Sequence, residues 1–307
     1  MKFSHNGGFL LSKSLTPLFR GSATALITPF FNGKIDFDCF ENLVDTNIRG
    51  GADALVVAGT TGEASTLSPE EQAALCACAV QVADGRVPVI CGAGSSDTAH
   101  ACTLARTVCR AGCDALLCVT PYYNKASPRG MQLHFGAIAD ASEKPIILYN
   151  VPARTGCSLS VEVCLALASH PNICGIKEAS GDVGHAARIM AACGDDLPLY
   201  SGCDNLTLPL LALGAAGVIS VAGNMIPAVM HAICHTYFAG RHEQAARAHL
   251  GVLTLMDACM AQVNPIPIKT ALCMMGLCRE EFRLPLCPMQ SHEKRALADL
   301  LREYGLI

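Results

Sequence analysis

Asn172-Ile-Cys-Gly-Ile-Lys-Glu178 is a short apolar run that ends on a single lysine, Lys177. Its length and its lack of polar alternation are typical of a strand that is covered on both faces. A lysine at the end of such a buried strand has to form an ion pair, reach solvent or take part in a reaction. Two interpretations follow. Either Lys177 lies at the rim of the fold and pairs with a carboxylate such as Glu178, or its neutral amine attacks a carbonyl group to form a Schiff base.

Seven further apolar runs share this character, and segments with helical periodicity separate them. Eight strands that alternate with helices predict a (β/α)8 barrel, the TIM-barrel fold. A doubly wound open sheet is the alternative, and it fits less well because such sheets usually have about five or six strands. The expected strands are Ala23–Thr28, Ala54–Ala58, Val87–Cys91, Ala115–Val119, Pro145–Tyr149, Ile173–Ile176, Leu197–Tyr200 and Gly217–Val221.

Helix starts between the strands support this pattern. Ser68-Pro-Glu-Glu71 has the sequence of a capping box with a proline in the first turn, and Ser127-Pro128 opens another helix in the same way. Beyond the eighth strand the chain is predicted to continue as helices, interrupted at Pro265 and Pro267. The expected regions are an N-terminal extension at 1–20, the barrel at 21–239 and a C-terminal helical region at 240–307.

The composition excludes several classes of partner. The chain has a formal net charge of −4, 16% charged residues and no basic block. It therefore lacks the positively charged surface that binds nucleic acid or an anionic membrane. The eighteen cysteines lie singly within apolar patterns, as at Cys91, Cys118, Cys174 and Cys234, and are interpreted as small core residues in a reducing cytoplasm. No apolar run is long enough to span a bilayer. We therefore expect a cytoplasmic protein that acts on a small molecule.

His231 and His235 lie four residues apart on a predicted helix. The HExxH pattern of a zinc peptidase needs a glutamate directly after the first histidine, and Ala232 stands there instead. The pair is interpreted as partly exposed helix histidines. The cysteine spacings do not complete a zinc site either, so no metal is expected.

Polar residues follow several of the predicted strands, and in barrels of this type the catalytic groups lie where the strands end. Gly59-Thr-Thr-Gly-Glu63 offers hydroxyls and amides that could hold an anion, or it is an ordinary turn. In Thr120-Pro-Tyr-Tyr-Asn124 and at Tyr149, a tyrosine could relay protons, or it could be an amphipathic rim residue. Arg154 could grip a carboxylate or form a surface ion pair. No metal-binding cluster follows any strand, which favours an amine catalyst.

Taken together, these segments resemble the dihydrodipicolinate synthases (4-hydroxy-tetrahydrodipicolinate synthases), which are Schiff-base aldolases of the N-acetylneuraminate lyase class. The resemblance runs from about Gly21 to the C-terminus. The motifs that carry it are GTTGE at 59–63, VTPYYN at 119–124, LYNVPARTG at 148–156, GIKEASG at 175–181, GVISV at 217–221 and NPIPIK at 264–269.

The resemblance implies that the protein condenses pyruvate with L-aspartate-4-semialdehyde in lysine and diaminopimelate biosynthesis, without a cofactor. It implies that Lys177 forms the imine with pyruvate and that Tyr149, Thr60 and Tyr123 relay protons. Tyr123 is implied to reach the site from the neighbouring subunit of a tight dimer, within a homotetramer. The residues implied to bind the substrates are Thr60 and Thr61 for the pyruvate carboxylate, Arg154 for the carboxylate of the aldehyde, and Gly202 and Ile219 for the rest of the pocket.

Two alternatives to this function stay open at this point. A pyruvate-dependent lyase of sugar acids, similar to N-acetylneuraminate lyase, would use the same lysine, although Thr60, Thr61 and Arg154 match the synthases better. A non-catalytic pyruvate-binding homologue would keep the lysine without turnover, although such a protein has no need of a proton relay.

The sequence departs from the pattern of the family at two positions. Cys203 stands where the synthases commonly have an acid or an amide, which affects how the aldehyde reaches the site. His100 stands where relatives that are inhibited by lysine place an acid near the dimer interface, beside Ser96 and Tyr122. An imidazole is a poor partner for an ammonium group, so we expect weak inhibition by lysine.

Overall fold

Eight parallel strands close into a barrel in the structure, a computed structural model that describes residues 15–307. Each strand pairs with the next one along the chain, and the last pairs with the first. The predicted (β/α)8 barrel is thereby confirmed. The strands are β1 (Gly21–Ala25), β2 (Ala54–Val57), β3 (Val89–Gly92), β4 (Ala115–Val119), β5 (Ile146–Asn150), β6 (Ile173–Glu178), β7 (Leu199–Ser201) and β8 (Gly217–Ser220).

Helices separate the strands and continue beyond the last one, and a two-stranded hairpin (Phe30–Phe31 and Lys34–Ile35) follows β1. No helix within residues 15–307 is long and apolar enough to cross a membrane. The helices are α1 (Phe37–Arg49), α2 (Pro69–Ala83), α3 (Thr98–Arg110), α4 (Pro128–Ala141), α5 (Pro152–Thr155), α6 (Val161–Ala168), α7 (Val183–Cys193), α8 (Thr207–Ala212), α9 (Pro227–Phe238), α10 (His242–Gly251), α11 (Leu253–Ala258), α12 (Ile266–Met274) and α13 (Ser291–Glu303).

Helix caps lie where the sequence predicts them. The Ser68 side chain accepts a hydrogen bond from the Glu71 amide, and the Glu71 carboxylate accepts one from the Ser68 amide, which completes the capping box of α2. Ser127 caps α4 in the same manner, with a proline in the first turn. Pro265 and Pro267 lie at the start of α12, so they begin a helix as well as interrupting the chain before it.

The barrel interior is filled by small and branched side chains together with the rings of Tyr149 and Tyr200. The Phe19 ring stacks on Tyr200 with 4.3 Å between centroids, and the Tyr200 hydroxyl donates to the Phe19 carbonyl at 3.1 Å. The residues before β1 therefore close the amino-terminal end of the barrel. Residues 1–14 of the expected N-terminal extension lie outside the described part of the chain.

Strand β6 contains one residue more than β5 near the start of their pairing, which is a β-bulge. Ile146 lies opposite Ile173, and Ile147 lies opposite Gly175. Beyond this shift the pairing is regular and brings Lys177 opposite Tyr149. Because neighbouring side chains in a strand point to opposite faces, the extra residue decides which ones face inward. Lys177 then lies inside the barrel beside Tyr149, whereas Ile176 packs in the core between strands and helices.

A buried ion pair fixes the C-terminal helices to the barrel. The Lys269 ammonium of α12 lies 2.5 Å from a carboxylate oxygen of Glu63, and neither side chain is exposed. The Phe30 ring covers the same ammonium, with its centroid at 4.3 Å, and the Arg283 amide donates to the other Glu63 oxygen at 3.3 Å. Since a buried charge is strongly unfavourable without a partner, the pair holds α12 against the turn that follows β2.

Most of the cysteines named in the sequence analysis lie in the core. Cys91, Cys118 and Cys234 are fully buried, as predicted, whereas Cys174 is only partly buried. Burial raises the pKa of the Cys118 and Cys234 thiols above their ordinary value. These side chains therefore stay protonated and pack as small apolar groups.

Candidate active site

Lys177 lies at the carboxyl end of β6 with only 5% of its surface exposed. Its ammonium nitrogen is 4.5 Å from the centroid of the Tyr149 ring, and within residues 15–307 it takes part in no ion pair. Glu178 is bonded elsewhere, since its carboxylate accepts from the Asn150 side chain at 2.7 Å and from the Ser180 amide at 2.6 Å. The interpretation of Lys177 as a rim lysine paired with Glu178 is therefore wrong.

Gly202, which follows β7, leaves room for the Lys177 side chain. A Cβ atom at this position would lie 3.1 Å from Lys177 Cε and 2.5 Å from Ala179 Cβ. The Gly202 amide donates to the Glu178 carbonyl at 2.7 Å, which holds the glycine close to β6. On the neighbouring strand β8, Ile219 is fully buried in the interior.

A cavity of about 370 Å³ opens at the carboxyl ends of β2 to β5. The structure brings Thr60, Tyr149 and Arg154 together in its wall, as the sequence analysis expected of a common site. Lys177 adjoins this wall through its contact with Tyr149. The cavity extends from there to His100 at the start of α3.

The turn after β2 is held more tightly than the sequence suggests. Thr61 is 2% exposed, and its hydroxyl accepts a hydrogen bond from the Asn264 side chain at 3.0 Å. The amides of Glu63 and Ala64 donate to carbonyls within the turn. Those two amides are not available to an anion, so an anion site here depends on Thr60 and on the remaining donors of the turn.

Asn264 is a site residue to which the sequence analysis assigned no role. Its side chain donates to the Thr61 hydroxyl, and its carbonyl accepts from the Arg154 guanidinium at 3.2 Å. It therefore connects the turn after β2 with α5, which carries the otherwise exposed Arg154. The signal in the sequence is a polar amide that precedes two prolines in an apolar segment.

Asp204 is a second residue that the sequence analysis missed. It is buried after β7, and its carboxylate accepts from the amides of Val221 and Ala222 at 3.0 and 2.9 Å, which ties the turns after β7 and β8 together. Burial raises the pKa of the Asp204 carboxyl, although these amides oppose that shift. Burial likewise raises the pKa of the neighbouring Cys203 thiol. Because the thiolate is the reactive form of cysteine, this shift makes the Cys203 thiol less nucleophilic.

Tyr123 does not reach the cavity of its own chain. It lies in the loop between β4 and α4, 94% exposed, with a left-handed backbone at φ 72°. Its neighbour Tyr122 is 41% exposed and does line the cavity. The prediction that Tyr123 serves the site of a neighbouring subunit stays a prediction.

Comparison with known proteins gives consistent matches over nearly the whole chain. Residues 18–304 match the dihydrodipicolinate synthetase family. The 4-hydroxy-tetrahydrodipicolinate synthase of Trichlorobacter lovleyi is 47% identical over 290 residues, which are 94% of this chain and 100% of that protein. The dihydrodipicolinate synthase from Acinetobacter baumannii, solved in complex with pyruvate, is 40% identical, with a TM-score of 0.92 over 94% of this chain and 99% of that one. The enzyme from Cyanidioschyzon merolae, solved with lysine bound, is 38% identical, with a TM-score of 0.92 over 95% and 100%.

Replacement of Gly202 with alanine should lower the free energy of unfolding by about 1–3 kcal/mol, because the added methyl group has to displace Ala179 or the Lys177 stem. Gly136→Ala is the matched control, since nothing lies within 4 Å of a Cβ atom at that position in α4. The control should be as stable as the parent or slightly more stable. Urea denaturation measures both variants, and a Gly202→Ala protein as stable as the parent would contradict the tight packing around Lys177.

Proposed function

Because the chain belongs to the dihydrodipicolinate synthetase family, we propose that Lys177 is the amine through which it condenses pyruvate with L-aspartate-4-semialdehyde. The chain is a lyase, a 4-hydroxy-tetrahydrodipicolinate synthase. The observation that supports the role of Lys177 is its place inside the barrel, 5% exposed and against the Tyr149 ring. An amine at this place can meet a small carbonyl compound away from bulk water.

The proposed reaction begins when the neutral amine of Lys177 attacks C2 of pyruvate. The resulting carbinolamine loses water and gives an imine, and loss of a proton from the methyl carbon gives an enamine. The enamine carbon attacks the aldehyde carbon of L-aspartate-4-semialdehyde. The amino group of that substrate then attacks C2, closes the ring and releases Lys177. Tyr149, which contacts the amine, relays the protons of these steps.

We assign the two carboxylates of the substrates to different groups, both of which are connected to Asn264. Thr60 and the hydroxyl of Thr61 bind the pyruvate carboxylate; the Thr61 hydroxyl accepts from Asn264 and can still donate. Arg154 binds the carboxylate of the aldehyde, and its bond to the Asn264 carbonyl orients its guanidinium. Gly202 and Ile219 complete the wall around Lys177.

We also propose that the site is completed between subunits. Tyr123 joins Thr60 and Tyr149 in the proton relay of the neighbouring chain, within a homotetramer built as a dimer of tight dimers. The support for this proposal is the 94% exposure of an aromatic ring on a strained loop at the edge of the site. The cytoplasm is the proposed compartment, because the numerous cysteines suit a reducing environment.

Borohydride reduction in the presence of pyruvate should attach the reduced adduct to Lys177, because the imine is the species that borohydride traps. Peptide mass spectrometry identifies the modified lysine. Lys177→Ala should lose both the adduct and the condensation with L-aspartate-4-semialdehyde, whereas Lys34→Arg, at an exposed position, should keep both. A wild-type protein that forms no adduct would overturn the role of Lys177. An adduct without condensation, or cleavage of N-acetylneuraminate in its place, would contradict the assigned substrates.

Tyr123→Phe should lower kcat by about 10²–10⁴-fold, the range for loss of a proton-transfer group. Co-expression of Lys177→Ala and Tyr123→Phe chains tests whether the tyrosine acts across the interface. A mixed dimer then has one complete site, and random pairing should restore about a quarter of the wild-type activity. Activity that stays at the level of the separate variants would show that Tyr123 serves no neighbouring site. Tyr237→Phe in α9 is the control and should leave the rate unchanged.

The end of the cavity near His100 bears on inhibition by lysine. The dihydrodipicolinate synthase from Cyanidioschyzon merolae was solved with lysine bound. Among residues 15–307 of this chain, those that line the cavity include no aspartate or glutamate, and His100 stands at the start of α3. We propose that lysine binds this end weakly, because no carboxylate is present to meet its ammonium group.

L-Lysine should therefore inhibit the condensation only at millimolar concentrations or above. His100→Glu should lower the concentration for half-inhibition by about tenfold, because it introduces one charge-assisted hydrogen bond. His292→Glu, at an exposed position of α13, should not change it. Steady-state rates at increasing lysine concentration provide the measurement, and half-inhibition of the wild-type protein at sub-millimolar lysine would refute the proposal.

A further inference from the structure

Three side chains converge at the end of the barrel opposite the candidate active site. Asp53 directly precedes β2, whereas His231 and His235 lie one turn apart on α9. His231 Nδ1 is 3.2 Å from one carboxylate oxygen of Asp53, and His235 Nε2 is 2.8 Å from the other. The two imidazole rings stack with 3.9 Å between centroids. In this arrangement each ring has one nitrogen atom next to the Asp53 carboxylate.

We propose that Asp53, His231 and His235 bind a divalent transition metal ion of the Zn²⁺ type. The three ligand atoms lie within 4.8 Å of one another. Ligand atoms at tetrahedral corners around Zn²⁺ are about 3.3–3.6 Å apart, given bonds of about 2.0–2.2 Å, so small side-chain movements would open space for the ion. Two imidazoles and one carboxylate are a ligand set that suits Zn²⁺, Co²⁺ or Ni²⁺.

Two glycines in the surrounding backbone leave space for these side chains. A Cβ atom at Gly21 would lie 1.9 Å from an Asp53 carboxylate oxygen, and a Cβ atom at Gly51 would lie 3.0 Å from the His231 ring. The Ser22 amide donates to Asp53 at 2.8 Å and so orients the carboxylate, as outer-shell partners do in metal sites. The position of the carboxylate is therefore fixed in the metal-free protein.

The cluster is also accessible from solvent. The side chains of Asp53, His231 and His235 are 17%, 35% and 46% exposed, so the outermost imidazole leaves a path for the ion and a place for a water ligand. The sequence analysis expected no metal at the histidines because the glutamate of the HExxH pattern does not follow His231, and it named no third ligand. The structure supplies one from a position 178 residues away from His231.

Co²⁺ is the probe of choice, because its absorption spectrum reports the ligand type. Chelator-treated full-length protein should bind one equivalent of Co²⁺ per chain in equilibrium dialysis, without the near-ultraviolet charge-transfer band that thiolate ligands give. The band matters because the chain has an exposed cysteine, Cys287. Bound metal should also raise Tm by several degrees, since it stabilises only the folded state.

His231→Gln and His235→Gln should each weaken Co²⁺ binding at least tenfold, because loss of even an outer-shell partner costs about 10- to 100-fold. His292→Gln, at an exposed position of α13 that is not part of the cluster, should bind as the wild-type protein does. Circular dichroism of the metal-free variants verifies that they fold. Wild-type protein without saturable binding, binding that survives in both variants, or a thiolate band would each overturn the proposal. The wild-type spectrum decides the matter even if a variant fails to fold.

Discussion

The extra residue that β6 takes between Ile173 and Gly175 is the constraint on which the site depends. Without it, the alternation along β6 would place Lys177 among the helices, and the ammonium would lie in an apolar layer with no reaction to serve. With it, the lysine points into the barrel at the level of Tyr149. The glycine at 202 then provides the space that the lysine stem requires. One local irregularity thus sets the position of the amine.

Residues of the C-terminal region, outside the barrel, also stabilise the barrel mouth. Asn264 links the turn after β2 to Arg154, and the ion pair between Glu63 and Lys269 fixes the same turn to α12. Both contacts come from the region after the eighth strand. The C-terminal helices therefore help to position the proposed substrate-binding groups, together with Thr28 of the barrel, whose hydroxyl donates to the Gly62 carbonyl of the same turn at 2.7 Å.

The fold was predictable from the sequence because its signals are local. Eight apolar runs and well-formed helix starts identify the barrel without any knowledge of contacts. The positions of Lys177, Tyr149 and Thr60 at the barrel mouth were predictable because these residues stand at strand ends and within motifs, whereas their roles stay predictions. Asn264 and Asp204 were not, because each acts through hydrogen bonds to chain segments that no local pattern connects. The inward direction of Lys177 was likewise inaccessible, since apolar runs without alternation carry no information on register.

The exposed position of Tyr123 has a consequence for how the enzyme responds to its own concentration. A chain whose own cavity lacks this ring carries an incomplete proton relay, if the ring belongs to a neighbour. Dilution below the dissociation constant of the dimer would then remove activity without unfolding a single strand. The specific activity would depend on protein concentration, and association of the subunits would itself be a step in switching the enzyme on.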